Sequence, residues 1–271
     1  MTDLGVIAGQ TSSQANGINN SNVIVGQSGT KAFEDVGSGL LPLGTGVVSG
    51  INGSGVAIGS TPDGGGNYTI EWNDLYTPTA YFSLFNTTGV SINSSGDFVG
   101  LENGNSGYYS NGSSMLTFTH SLSSFLPAQI NNSNVIAGQE SSDHEAAIYT
   151  ISSLTETILG KLSPSDSSST ATGINSAGTV VGTSGSAGFE WTSSGGIVSL
   201  TSLLGSEYSG WTVVSASAIN DNGQILAEGL HDGVDHAVIL AVATPEPSSF
   251  VLLGIAAIGL GLTALKRRRV A

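Results

Sequence analysis

Up to Phe250 the apolar residues come in short runs broken by Asn, Gly and Ser, and no stretch keeps a helical period. What recurs is a nine-residue unit: an Ile, an Asn, two small or polar residues, a Gly or Asn, one variable residue, two apolar residues and a closing Gly. It reads INNSNVIVG at Ile18–Gly26, INGSGVAIG at Ile51–Gly59 and INSSGDFVG at Ile92–Gly100. It returns as INNSNVIAG at Ile130–Gly138, INSAGTVVG at Ile174–Gly182 and, with a looser end, INDNGQILAEG at Ile219–Gly229. The asparagines Asn19, Asn52, Asn93, Asn131, Asn175 and Asn220 are spaced by 33, 41, 38, 44 and 45 residues.

Each unit predicts a hairpin. An Asn opening a turn bonds its own following backbone, and Gly or Asn three residues on accepts the left-handed conformation. Asn22, Gly55, Gly96, Asn134, Gly178 and Gly223 occupy that place, the pattern of a type I turn with a bulge. The Ile before the turn and the apolar residues after it supply the buried sides of two strands. Third strands are expected at Lys31–Val36, Asn67–Trp72, Gly107–Ser110, Ala146–Ile151, Gly188–Trp191 and His236–Val242. Fourth strands are expected at Leu40–Leu43, Ala80–Phe85, Met115–Thr119, Glu156–Leu159 and Ile197–Leu200. Four short strands per forty or so residues make an all-β repeat architecture, best read as a β-propeller of about six four-stranded blades. A solenoid and a twisted sandwich are the alternatives.

The chain changes character near its end. Phe250–Leu265, FVLLGIAAIGLGLTAL, carries no charge and is followed at once by Lys266, Arg267, Arg268 and Arg269. As a helix it would extend about 24 Å at 1.5 Å per residue, close to a hydrocarbon core of roughly 30 Å. A basic stop beside an apolar run anchors a membrane segment on the cytoplasmic side. The expected plan is a repeat body over 1–243, a linker over 244–249, a transmembrane helix over 250–265 and a basic tail over 266–271, with the body outside the cytoplasm. Charge agrees. Only Lys31 and Lys161 offset the nineteen acidic residues of the body, and a surface so acidic repels nucleic-acid phosphates. The absence of cysteine excludes disulfides, thiol catalysis and thiolate-built zinc sites.

Pro245-Glu246-Pro247, then a short apolar helix containing Gly and Ala, then an arginine cluster resembles the PEP-CTERM sorting signal of Gram-negative bacteria. The resemblance implies export, processing near Pro247 by an exosortase-type membrane peptidase, passage through the inner membrane and association with exopolysaccharide. The alternation of the hairpin with a third strand resembles HAF repeats, extracellular bacterial repeats named for a His-Ala-Phe triplet. Here the triplet survives as Lys31-Ala32-Phe33 and His236-Ala237. In such repeats a blade often ends in a strand like Met1–Gly5, so Met1 reads as an interior position and a secretion signal is expected upstream of it. In the alternative, Thr2–Ile7 closes the last blade as its fourth strand.

Candidate chemistry is sparse. His231-Asp232-Gly233-Val234-Asp235-His236 holds ligand-type residues, but its Asp and Gly read as a turn before the third strand. Asp143-His144-Glu145 stands in the matching loop of the fourth repeat and reads the same way. Glu71-Trp72 and Glu190-Trp191 recur at one blade position, where a carboxylate beside an aromatic ring suits either a sugar groove or scaffold. Loops such as Asn220-Asp221-Asn222-Gly223 offer oxygen ligands for calcium, though turn geometry explains them equally. No catalytic or metal-binding residues are assigned. The expectation is a non-enzymatic exported surface or matrix protein associated with exopolysaccharide and biofilm. The alternatives are a secreted polysaccharide hydrolase or lyase and a calcium-dependent carbohydrate-binding or adhesion module.

Overall fold

A computed structural model describes residues 3–63, 66–72, 78–80, 86–118 and 125–241. The chain divides into two units, Met1–Ile239 and Leu240–Ala271. The first contains six antiparallel sheets, each a simple meander. Sheet 1 is β1 (Ser13–Ile18), β2 (Ile24–Ser28), β3 (Lys31–Asp35) and β4 (Leu41–Thr45). Sheet 2 is β5 (Val47–Ile51), β6 (Ala57–Asp63), β7 (Gly66–Trp72) and β8 (Pro78–Ala80), and sheet 3 is β9 (Thr87–Ile92), β10 (Phe98–Glu102), β11 (Ser106–Ser110) and β12 (Met115–Thr117). Sheet 4 is β13 (Phe125–Ile130), β14 (Val135–Glu140), β15 (Glu145–Thr150) and β16 (Thr155–Gly160). Sheet 5 is β17 (Ser169–Ile174), β18 (Val180–Ser184), β19 (Ala187–Thr192) and β20 (Gly196–Ser199). Sheet 6 is β21 (Trp211–Ile219), β22 (Gln224–His231) and β23 (Val234–Ala241), three strands among the described residues.

The six repeat units are the six hairpins joining first to second strand. In each, the residue three past the Asn has positive φ: Asn22 (61°), Gly55 (87°), Gly96 (87°), Asn134 (55°), Gly178 (84°) and Gly223 (76°). Its N–H donates to the Asn carbonyl at 3.0–3.2 Å, closing the turn. The third strands fall where expected to within about two residues. Among the fourth strands, β8 ends at Ala80, and positions 81–85 lie outside the described residues. The strand expected at Ile197–Leu200 stops at Ser199, because Leu200–Leu203 forms a short 3-10 turn.

Alternation along a strand gives every sheet a leading face, toward the sheet before it, and a trailing face, toward the sheet after. The Ile preceding each Asn and the residue five past the Asn point forward to the leading side; the residue six past it lies on the trailing side. Val25 and Ala32 of sheet 1 thus pack against Val48, Ala57, Ile70 and Trp72 of sheet 2. Ile58 of sheet 2 meets Ile92, Phe98 and Tyr108. Val99, Tyr109 and Phe118 meet Phe125, Ile130 and Ile136, with Phe118 edge-on to Phe125 at 5.5 Å. Ala137, Ala146 and Leu159 meet Ala171, Ile174, Val180 and Phe189. The core is therefore divided among the junctions, so each sheet is stabilised by its neighbours, as in other repeat folds. Among the described residues no helix is long and apolar enough to cross a membrane; the expected span 250–265 lies outside them.

Candidate functional site

The six repeat asparagines come together at one end of the sheets and form a ladder. Each side-chain oxygen accepts the N–H four residues on, and in every repeat but that of Asn175 also the N–H two residues on; for Asn131 these are Val135 and Ser133, both at 3.0 Å. The amide nitrogens of the first five then donate to the backbone carbonyl of the next sheet's asparagine, while that of Asn220 donates to Gln224 of its own turn at 2.8 Å. Asn19 reaches Asn52 (3.2 Å), Asn52 reaches Asn93 (3.0 Å), Asn93 reaches Asn131 (3.2 Å), Asn131 reaches Asn175 (3.0 Å) and Asn175 reaches Asn220 (3.4 Å). Asn is the residue this requires: one acceptor for its own turn, one donor for its neighbour. Asn52, Asn93, Asn131 and Asn175 are buried with both groups engaged. The ladder holds sheets in register.

Side chains of the same turns add to it. Asn134 donates to Asp97 at 2.7 Å, and Ser176 donates to Asp221 from its N–H (2.8 Å) and its hydroxyl (3.0 Å). Asp221, one of the loop oxygens that could also have suited calcium, thus accepts both groups of Ser176. Among the described residues no group of three or more His, Asp or Glu is placed to hold a metal ion.

A second set of polar residues lies inside the junctions. Glu34, Glu71 and Glu190 stand opposite Val25, Ile58 and Val181 on the second strands, the same register position in sheets 1, 2 and 5, all on the trailing face. Sequence reading found the second and third but not Glu34, because Asp35, not Trp, follows it. The neighbouring aromatics are core: Trp72 is fully buried and Trp191 packs against the sheet 4–5 cluster. Burial pushes the carboxyls of Glu34 and Glu190 above the ordinary value of 4.5, and burial followed by the charge of Glu140 does the same to Glu156. Glu140 goes the other way: burial would raise it, but the N–H of Asp143, both groups of Ser142 and the nearby His144 outweigh that and lower it.

A raised carboxyl favours the protonated form in the folded state, so its contribution to stability is full below 4.5 and is lost as pH rises through the folded value. Glu34 is 2% exposed, with Oε2 buried and without a hydrogen-bond partner. Glu34→Gln is expected to raise the melting temperature near neutral pH by about 2–4 °C, some 1 kcal/mol, and to flatten the decline in stability between acid and neutral pH. Melting curves across that range, with an unchanged slope in the variant, would contradict the assignment.

The His231–His236 segment is a tight hairpin turn, Asp232 (φ 51°) and Gly233 (φ 76°) joining β22 to β23. The ring of His231 stacks on Trp211 at 4.6 Å and that of His236 tilts against it at 5.1 Å. The two imidazoles serve an aromatic cluster. His144 likewise takes a positive φ, 53°, in its loop. Beside this hairpin the trailing face of sheet 6 is hollowed into an open depression of about 310 Å³, bordered by Leu226, Glu228 and Asp235.

The remaining predicted site residues, Pro245, Glu246, Pro247, Lys266, Arg267, Arg268 and Arg269, lie outside the described residues. Their sequence decides the matter. Residues 243–269 match the PEP-CTERM protein-sorting motif. The motif implies an exported protein sorted by exosortase. No curated protein matches the chain. Solved structures resemble its fold: streptogramin B lyase, with a TM-score of 0.56 at 13% identity over 84% of this chain and 83% of that one. Virginiamycin B lyase from Staphylococcus aureus gives 0.55 at 11%, covering 84% of each. YCF48 bound to D1 peptide gives 0.54 at 12%, covering 90% of this chain and 82% of that one. At such identities the likeness is one of fold, an all-β array of propeller type.

Proposed function

We propose that this PEP-CTERM chain is a non-enzymatic component of the cell surface or extracellular matrix, held in the inner membrane by residues 250–265 until exosortase cuts near Pro247. The sorting motif at 243–269 carries the reading. The body supports it: the polar residues that recur from repeat to repeat are engaged in holding sheet to sheet, which suits a durable external module. Lys31-Ala32-Phe33 opens β3 and His236-Ala237 lies in β23, so the residues resembling HAF repeats are third-strand positions. A matrix rich in exopolysaccharide is the proposed destination.

The test is the fate of the full chain, expressed behind a cleavable secretion signal in a Gram-negative host with and without an exosortase. With the peptidase, the protein should leave the cell without its arginine-rich end; without it, the uncut form should stay in the membrane fraction. Replacing Pro245, Glu246 and Pro247 together by Ala should abolish release and leave the body folded. Recovery of uncut protein from the cytosol, or release of the triple variant at the normal rate, would overturn the reading.

A further inference from the structure

Five junctions join the six sheets, and the third strand of the preceding sheet sets one side chain into each from its trailing face. In sheets 3 and 4 that side chain is Tyr109 or Ile148, and it joins the apolar cluster of the junction. In sheets 1, 2 and 5 the same register position holds Glu34, Glu71 or Glu190. A tyrosine or an isoleucine packs there, so the fold does not require a carboxyl at this place. Taking one out of water costs stability unless its oxygens are bonded.

In two junctions a carboxyl oxygen is buried and unbonded. Between sheets 1 and 2, Glu34 stands opposite Val25, which packs in one cluster with Trp72 of sheet 2. Glu34 is 2% exposed, and neither its Oε2 nor the buried Nε1 of Trp72 has a partner among the described residues. Between sheets 3 and 4 the carboxyl comes from the other side. Glu156 stands opposite Tyr149 on the face turned to sheet 3, and Tyr149 packs in one cluster with Tyr109. Glu156 is half-buried, and its Oε1 is buried without a partner among the described residues.

Among the described residues neither carboxyl forms an ion pair. Facing Glu34, the described side chains of sheet 2 offer one other titratable group, Tyr68, on the side of β7 that carries Ile70 and Trp72. Around Glu156 stand Tyr149 and Glu140 of its own sheet, and Tyr109 of sheet 3 with Asp97 beside it. Glu145 shares that face opposite Glu140, with Lys161 3.6 Å from its carboxylate. Burial raises both Glu34 and Glu156, and the charge of Glu140 adds to the effect at Glu156. Each therefore contributes most stability below the ordinary 4.5 and loses it as pH rises through its folded value. Glu140 is lowered and has the opposite sign, so variants and not pH alone must carry the test.

We propose that Glu34 and Glu156 make these two junctions pH-sensitive catches: sheets 1 and 2, and sheets 3 and 4, hold together more tightly in acid and loosen as the medium turns neutral. Protonated, each carboxyl is a neutral group among apolar neighbours, and the sheets close on it. Ionised, it draws water toward its free oxygen and the junction opens locally. Because each sheet of a repeat fold is held by its neighbours, the opening stays with the sheets that flank the carboxyl.

The test is hydrogen exchange of the full chain in detergent, in acid and at neutral pH, corrected for the intrinsic pH dependence of exchange and resolved sheet by sheet by mass spectrometry. In the wild type, sheets 1 to 4 should exchange about fivefold faster at neutral pH. Glu34→Gln should abolish that difference in sheets 1 and 2 and leave it in sheets 3 and 4; Glu156→Gln should do the reverse. A wild type equally protected at both pH values would overturn the proposal. So would a difference that survives both variants, or one that either variant removes from all four sheets alike, which would mark a global effect of charge.

Discussion

Gly182→Val is expected to be among the most damaging single changes in the body, costing about 3 kcal/mol or more. The closing glycine of the repeat sits opposite a bulge in the first strand. In sheet 5, Ala171 pairs with Gly182 and Gly173 with Val181, leaving Thr172 as the extra residue. A Cβ on Gly182 would overlap the Thr170 carbonyl oxygen and crowd the ring of Phe189, so the strand pair must separate. Thr172 uses the bulge to send its hydroxyl to the Ala216 carbonyl of sheet 6 at 2.7 Å, so the damage spreads to the next junction. The fitting comparison is Gly178→Val in the turn, where space is open and only the positive φ of 84° resists a side chain. That change should cost about 1–2 kcal/mol. Urea unfolding followed by tryptophan fluorescence measures both. Equal losses would show that close approach across the bulge is not what excludes a side chain at Gly182.

The turns were legible because their chemistry is local. Asn19 and Asn22 specify a turn whatever surrounds them, and so do their five counterparts. The closing glycine was visible as a recurring letter, but its cause was not, since bulge and carbonyl belong to a strand eleven or twelve residues earlier. Sheet 6 supplies the clue in retrospect: Ala227 stands in that place, and β21 carries two register shifts where the others carry one. Third strands announced themselves through Phe33, Trp72 and Tyr108. The 3-10 turn at Leu200–Leu203 did not, because four residues hold too little pattern to set against the strand reading of Ile197–Leu200. The sorting motif was fully legible, being a signal read in one stretch of chain. Least legible was the second use of each repeat asparagine. A turn explains the side-chain oxygen completely, and nothing in a single repeat says that the amide nitrogen reaches a residue about forty positions on.

That second use predicts unequal costs for the same substitution. Asn131→Ala removes an acceptor from the N–H groups of Ser133 and Val135 and a donor from the Asn175 carbonyl, all at a buried position. With roughly 1–3 kcal/mol for each buried group left unpaired, a loss of about 3 kcal/mol is expected. Asn220→Ala removes the same turn bonds, to Asn222 and Gln224, but at an exposed position where water replaces them and where no next sheet is linked. About 1 kcal/mol is expected there. Asn131→Asp separates the two roles: it keeps the turn's acceptor but sets a carboxylate oxygen against the Asn175 carbonyl. It should therefore behave like Asn131→Ala near neutral pH and recover part of the loss in acid, where the protonated carboxyl donates again. Thermal melting of the three variants at two pH values decides the matter. If Asn131→Asp is as stable as the wild type at neutral pH, the amide link between sheets contributes nothing and the turn alone accounts for the asparagine.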